Sequence, residues 1–207
     1  MTRIIAGTAG GRTIRTPRGR DTRPTTDRVR EALFSRVEAL LDLDGAGVLD
    51  LYAGSGALGL EALSRGAEAL VAVERHRPTA RLIQQNAELL GLTEQVQVRA
   101  VAVEQALAAG PAGAAVHLVL ADPPYPLGEE ELTRTLQTLV GQGWLASDAL
   151  VVVERSSRSP HPTWPQGLQH LDTRRYGEAA LHFGEPTEPA QPTGPAEPLR
   201  ADDDDTP

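Results

Sequence analysis

The sequence of 207 residues contains no cysteine and no lysine, and only 3% of its residues are aromatic. Without cysteine, the protein has no disulfide bond, no thiolate metal ligand and no cysteine nucleophile. No apolar run reaches the ~18 residues that a membrane-spanning helix needs, and the first residues lack the apolar segment of a signal peptide. These absences predict a soluble cytoplasmic protein. The length suits one main domain of ordinary size.

The charge is unevenly distributed along the chain. The formal net charge of −8, taken alone, argues against a nucleic-acid partner. Residues 1–36 nevertheless hold nine arginines against three acidic residues, a net charge of +6. Since the planar guanidinium of arginine can contact two phosphate oxygens at once, this segment is a candidate for binding nucleic acid.

The composition divides the chain into three expected segments. Residues 1–26 are expected to form a basic arm or small hairpin, because glycines interrupt a loosely alternating pattern there. Residues 27–184 form the folded domain. Residues 185–207 carry a net charge of −6, six prolines and only one apolar residue larger than alanine, Leu199. Such a segment cannot bury enough surface to become ordered, which predicts a disordered acidic tail.

Apolar segments and helical patterns alternate through the middle of the chain, which predicts a doubly wound α/β sheet. A helix is expected at 27–41, before this alternation begins. The predicted strands are 48–52, 69–74, 95–100, 116–121 and 149–154, and the predicted helices between them are 57–65, 78–90, 103–109 and 129–140. Residues 168–177 and 179–184 are expected to close the sheet as a hairpin. In such sheets ligands bind beyond the carboxyl ends of the strands, so the residues just after the strands are the functional candidates.

A glycine-rich turn follows the predicted strand at 48–52. Gly54, Gly56 and Gly59 satisfy the pattern G-x-G-x-x-G between a strand and a helix. Glycines let the backbone approach a ligand closely, and the N-terminus of the helix lies beside it. Glu74 ends the next strand and is placed to accept both hydroxyls of a ribose. These features fit either a dinucleotide or S-adenosylmethionine (AdoMet).

Asp50 favours AdoMet over a dinucleotide. It is an ionisable residue near the end of an otherwise apolar strand, four residues before the first glycine of the turn. A dinucleotide would place a pyrophosphate there, which a carboxylate would repel. AdoMet has no phosphate and presents a positive sulfonium and a positive ammonium, which a carboxylate attracts.

A second motif follows the predicted strand at 116–121, where Asp122 and Tyr125 enclose two prolines. Prolines fix the backbone and restrict the residue before them, so the loop is stiff and its carbonyls point in set directions. An amine attached to an aromatic ring is a poor nucleophile because its lone pair is delocalised. Hydrogen bonds from its two N–H groups to the Asp122 carboxylate and a proline carbonyl such as that of Pro123 would localise the lone pair, and Tyr125 would stack on the base.

With both motifs, the chain resembles the RsmD family, AdoMet-dependent enzymes that methylate the N2 amine of one guanine in 16S ribosomal RNA. The resemblance covers about residues 3–184 and rests on RIIAGTAGGRTI, RPTTDRVREALF, LDLYAGSGALGLEALSRGA and ADPPY. It implies a class I AdoMet-dependent methyltransferase fold over 27–184, with a seven-stranded, mostly parallel sheet and a C-terminal antiparallel hairpin. The implied partner is 16S rRNA, in an assembling small ribosomal subunit, and the protein is expected to be a monomer.

Each candidate residue receives an expected role. The catalytic residues would be Asp122, Pro123 and Tyr125. The AdoMet-binding residues would be Thr25, Arg28, Asp50, Gly54, Gly56 and Glu74. The RNA-binding residues would be Arg12, Arg15 and Arg23.

Several other functions share part of this pattern. An N6-adenine DNA methyltransferase or a protein-glutamine methyltransferase would share the proline loop. An NAD-dependent oxidoreductase is disfavoured by Asp50 and by the absence of a Tyr-x-x-x-Lys base. A noncatalytic RNA chaperone would not bind AdoMet. No metal is expected, since the histidines have no metal-ligand spacing, and His117 and Trp144 are predicted to be structural residues.

Overall fold

The computed structural model describes residues 1–17, 27–124 and 127–187. The predictions made for Arg23, Thr25 and Tyr125, and for the tail from residue 188 onward, lie outside these residues.

The described residues form five α-helices and nine strands. The helices are α1 (Asp27–Glu38), α2 (Ala57–Ser64), α3 (Arg77–Leu90), α4 (Val103–Ala108) and α5 (Glu129–Gly141), with a short 3₁₀ helix at Thr93–Gln95. The strands are β1 (Thr2–Arg3), β2 (Thr13–Ile14), β3 (Gly47–Leu51), β4 (Ala69–Val73), β5 (Val96–Arg99), β6 (Val116–Ala121), β7 (Leu145–Ser156), β8 (Leu168–Tyr176) and β9 (Ala179–Pro186).

Seven of the strands form one sheet in the order β5-β4-β3-β6-β7-β9-β8. Strands β3 to β7 are parallel to one another, and β9 is antiparallel to both β7 and β8. This confirms the predicted doubly wound sheet with a C-terminal antiparallel hairpin. The carboxyl ends of the parallel strands lie side by side at one edge, called the carboxyl edge below.

The sheet is covered on both faces, as its continuous apolar strands require. On the α2 face, α1, α2 and α3 bury a cluster that includes Val48, Leu60 and Ile83. On the α5 face, α4 and α5 bury a second cluster that includes Leu49 and Leu136. Successive residues of each strand therefore point alternately to the two faces.

The N-terminal hairpin is part of the core and not a detached arm. Ile4 and Ile14 are fully buried in the same cluster as α1 and α2. The backbone N–H groups of Ile5 and Ala6 donate to the carboxylate of Glu61 in α2, at 2.6 and 3.0 Å. Sequence patterning gave no sign of this docking, because it depends on contacts between residues more than fifty positions apart.

Three elements differ from the prediction by two residues or more at an end: β7 spans Leu145–Ser156 where 149–154 was predicted, and the ends of α1 and β9 also differ. Helix α1 ends at Glu38 and not at residue 41, and the chain continues as a turn. Strand β9 continues to Pro186, two residues into the segment that composition assigned to the tail. Pairing with β8 extends that far, with Leu168 opposite Pro186 and the side-chain amide of Gln169 donating to Glu185 at 2.9 Å.

Two predicted structural residues have that role. His117 Nδ1 accepts a hydrogen bond from the backbone N–H of Gly47 at 3.2 Å. Trp144 is buried, and its indole N–H donates to the carbonyl of Leu107 at 3.0 Å. None of the helices in the part of the chain that the structure describes is long and apolar enough to span a membrane.

The Glu61 carboxylate should be a major source of stability. Its side chain is 0% exposed and also accepts from Arg65 Nε at 2.8 Å. Replacement by alanine leaves two backbone donors and Arg65 Nε without their acceptor, so Glu61→Ala should lower the free energy of unfolding by about 3–5 kcal/mol. The exposed Glu68 is the matched control, and Glu68→Ala should change that free energy by less than about 0.5 kcal/mol. Urea unfolding measures both, and equal losses in the two variants would contradict this role.

Candidate functional site

Four carboxylates lie along the carboxyl edge of the sheet. Asp50 is in β3, Glu74 directly follows β4, Asp122 directly follows β6, and Glu154 is in β7. Their side chains belong to the positions that face α2, since strand alternation puts them on the same side as Val48. The sequence predicted the first three. It gave Glu154 no role, because a strand-end acid is usually a solvated charge.

Asp50 is buried, and one backbone donor reaches its carboxylate. Its side chain is 1% exposed, and its Oδ2 accepts a hydrogen bond from the backbone N–H of Gly59 at 3.0 Å. Desolvation raises the pKa of Asp50 to about 7; the bond from Gly59 opposes the rise, and the negative charge of Glu74 adds to it. A buried carboxylate of this kind gains most from a positively charged ligand.

The structure requires glycine at the three positions of the G-x-G-x-x-G pattern for two different reasons. Gly54 and Gly56 have φ angles of 56° and 78°, in the left-handed region where side chains are strained. At Gly59 a Cβ would lie 2.6 Å from Leu70 Cδ1 and 3.0 Å from Asp50 Oδ2. The last glycine therefore lets α2 pack close enough to the sheet for its N–H to reach Asp50.

Glu74 braces the glycine-rich loop. Its Oε2 accepts from the N–H of Gly54 at 3.1 Å, and its Oε1 accepts from the N–H of His76 at 2.7 Å. The structure thus places Glu74 next to the loop. Because a carboxylate has about four acceptor positions, these two bonds leave capacity for the hydroxyls of a bound ribose.

Tyr52 is a residue of the site that sequence reasoning missed. It is the only non-glycine residue with positive φ in the described part of the chain, at 60°. Strand alternation would place its ring on the α2 face, but the ring packs in the opposite cluster and its hydroxyl lies 3.4 Å from Thr135 Oγ1 in α5. The strained turn therefore keeps an aromatic ring out of the space between Glu74 and Asp122.

Asn86 is a second missed residue. It is fully buried on the apolar side of α3, and its side-chain amide donates to the carbonyls of Ser55 and Arg15, both at 2.9 Å. Its Oδ1 accepts from the N–H of Arg15 at 2.9 Å. One side chain thus joins the N-terminal segment to the glycine-rich loop. The available signal was a lone amide among the apolar positions of a helix.

Asp122 begins the proline loop. Desolvation raises the pKa of Asp122 above its ordinary value, and the negative charges of Glu154 and Asp50 add to the rise. The residue is nevertheless exposed to solvent, and contact with water moderates the rise. An exposed carboxylate among other carboxylates is well suited to accept hydrogen bonds or a proton from a ligand.

The described ends of the proline loop are braced from two sides. The carbonyl of Pro124 accepts from the N–H of Leu127 at 2.9 Å, and the carbonyl of Leu127 accepts from Arg155 Nη1 at 3.0 Å. Since the Pro124 carbonyl is engaged in this turn, Pro123 is the better source of a carbonyl for a ligand.

The described arginines among the candidates, Arg12, Arg15 and Arg28, take separate positions. The Arg12 guanidinium donates to the carbonyls of Leu89 and Leu90 at the C-terminus of α3. Because α3 begins beside Glu74 and has 14 residues, Arg12 lies about 20 Å from the carboxyl edge. Arg15 is beside the glycine-rich loop through Asn86, and Arg28 is exposed in the first turn of α1.

Comparisons with known proteins agree with this fold. The family model for conserved hypothetical protein 95 matches residues 2–185. Ribosomal RNA small subunit methyltransferase D of Escherichia coli strain K12 is 38% identical over 163 residues, 79% of each chain. The enzyme of the same name from Haemophilus influenzae is 32% identical over 159 residues, 76% of this chain and 80% of that protein.

Solved structures give the same result. The structure of the Escherichia coli protein yhhF is 33% identical with a TM-score of 0.77, and the match covers 90% of this chain and 99% of that chain. A magnesium protoporphyrin IX methyltransferase from Synechocystis, solved with bound AdoMet, shares the fold at 15% identity and a TM-score of 0.59. From the family match and the identity to its members, the chain belongs to the RsmD family of methyltransferases.

Proposed function

We propose that the protein transfers a methyl group from AdoMet to the exocyclic N2 amine of one guanine in the 16S rRNA of an assembling small ribosomal subunit. The observation that carries this proposal is the position of Asp122 at the same sheet edge as the buried Asp50 and the glycine-rich loop. A loop suited to an aromatic amine thus lies at the same edge as a carboxylate suited to a cation. The names of the curated relatives support ribosomal RNA as the substrate class.

The residues of the site fit AdoMet. The buried Asp50 carboxylate would face a cationic group, and Glu74 would accept ribose hydroxyls beside Gly54. The positive φ angles of Gly54 and Gly56 let the loop approach a ligand with backbone atoms alone. A pyrophosphate would meet two carboxylates in the same place and is disfavoured. AdoMet supplies an electrophilic methyl group attached to a positively charged sulfur.

Asp122 would orient and activate the amine. One N–H of the guanine N2 group would donate to its carboxylate and the other to the carbonyl of Pro123, which localises the nitrogen lone pair. Positioning of this kind supplies a large part of an enzyme's rate enhancement. The raised pKa of Asp122 also suits it to take up the proton that the amine loses after methylation. Tyr125 is predicted to stack on a guanine flipped out of the RNA.

The arginines proposed from the sequence as RNA contacts differ in their positions in the structure. Arg12 serves the C-terminus of α3, so its loss should reduce stability more than RNA affinity. Arg15 and Arg23 remain proposals for RNA contact, and Arg28 remains a proposal for AdoMet binding. Phosphate contacts made by arginines would make RNA affinity fall steeply as salt concentration rises.

A direct test of the function uses AdoMet with an isotopically labelled methyl group and undermethylated small ribosomal subunits. We expect label in a single guanine of 16S rRNA, located by mass spectrometry of nuclease fragments. Free 16S rRNA in a parallel reaction tests whether the assembled subunit is required. Label in an adenine, or in protein alone, would contradict the proposal.

Replacement of Asp122 should abolish turnover while preserving the fold. Asn retains the shape of the side chain but has one acceptor oxygen and no negative charge. We expect Asp122→Asn to bind AdoMet with nearly unchanged affinity by calorimetry and to lose at least about 100-fold in kcat. The exposed Asp148, also in β7 but near its amino end, provides the control variant Asp148→Asn, which should keep full activity. A folded Asp122→Asn protein with near-normal kcat would refute the assigned role.

The raised pKa of Asp50 predicts a pH dependence of stability. Its pKa is about 3.9 in an unfolded chain and about 7 in the folded protein. Between these values the folded state binds more protons than the unfolded state, so the free energy of unfolding should fall as pH rises from about 4 to about 7. Asp50→Asn removes this contribution but retains an acceptor for Gly59, so its stability should vary less over that range. Urea unfolding at several pH values measures the slope, and an unchanged slope in the variant would argue against a raised pKa.

A further inference from the structure

Glu154 is the direct neighbour of Asp122 across two parallel strands. Ala121 of β6 is in register with Val153 of β7. The residues that follow them, Asp122 and Glu154, therefore lie side by side at the carboxyl edge. Neighbouring strands are about 4.8 Å apart. Glu154 is half-buried, and strand alternation places it on the α2 face with Asp122. Its partner on β9, Leu181, belongs to the apolar cluster on that face, which agrees with this placement.

A second carboxylate beside Asp122 is not needed to bind an amine. The negative charge of Glu154 reaches Asp122 and contributes to its raised pKa. A single carboxylate and a carbonyl already accept both N–H groups of an amine. Two adjacent carboxylates instead suit a ligand that presents two adjacent donors.

Among the candidate substrates, guanine has this pattern. Its Watson–Crick edge places the N1–H donor directly beside the N2 amine. Adenine has the N1 lone pair beside its amine, and a glutamine side chain has a carbonyl oxygen beside its amide nitrogen. A carboxylate opposite either of these acceptors would be repelled.

We propose that Glu154 is the residue that selects guanine, because its carboxylate accepts N1–H while Asp122 accepts from the N2 amine. This inference rests on the proposed function and names the specificity determinant of the same site. Glu154 binds the edge of the base next to the reacting amine and takes no part in the methyl transfer itself. Guanine thereby relieves the repulsion between the two carboxylates, which adenine cannot do.

The test uses small subunits reconstituted with 16S rRNA that carries 2-aminopurine at the guanine mapped above. This base keeps the amine but has a lone pair in place of N1–H. The kcat/KM for guanine divided by that for 2-aminopurine is measured for the wild type, for Glu154→Gln and for the control Glu88→Gln, an exposed residue of α3. The wild type and the control should prefer guanine by about 10- to 100-fold. Glu154→Gln should lower the ratio by at least about tenfold, since an amide can donate to N1 as well as accept from it.

Each outcome has a definite meaning. A wild type that methylates both bases equally well overturns the inference, even if Glu154→Gln does not fold. A folded Glu154→Gln protein with reduced activity but an unchanged ratio also overturns it, because a purely structural role would lower both rates together. The proposed function is tested separately by the unsubstituted subunit. If the wild type modifies an adenine there, or no RNA base at all, both proposals fail.

Discussion

The arrangement of the site depends on one buried hydrogen bond, from the backbone N–H of Gly59 to the carboxylate of Asp50. A carboxylate inside an apolar layer is tolerated only when donors reach it, and here the donor is the first turn of α2. That turn can come close enough only because residue 59 has no side chain to collide with Leu70. The close approach of α2 in turn fixes where the glycine-rich loop leaves β3 and where Glu74 can brace it.

Part of the negative charge of the chain is concentrated at the carboxyl edge of the sheet. Asp50, Glu74, Asp122 and Glu154 collect at one sheet edge, and the charges of some raise the pKa of others. A row of carboxylates at one edge favours a ligand that brings cations or N–H donors against it. Such an edge disfavours phosphates, although the substrate that we propose is a polyanion. Under the proposed function, the RNA backbone would be held elsewhere and a base with donor groups would enter.

The fold was predictable because its signals are local. Continuous apolar strands, helical periodicity and glycine or proline at the boundaries located nearly every element within a few residues. The candidate residues Asp50, Glu74 and Asp122 were predictable for the related reason that strand ends meet at one edge. The positions of Tyr52 and Asn86 were not, since a strained backbone that turns a ring to the other face and an amide that bridges distant segments are tertiary features.

The role of the basic N-terminal segment also depends on tertiary contacts that its net charge does not reveal. Its net charge of +6 suggests a free arm for RNA, but several of its arginines are used inside the fold. Arg12 bonds the end of α3, and Arg30 is buried, with its Nη2 2.7 Å from the carbonyl of Arg3 and 2.8 Å from Asp27 Oδ1. Arg15, which precedes residues 18–26 in the sequence, lies beside the glycine-rich loop through Asn86. Asp27, which follows them, accepts from Arg30. A count of arginines therefore overstates the surface available to phosphates. The cations available to phosphates are those that the core does not engage.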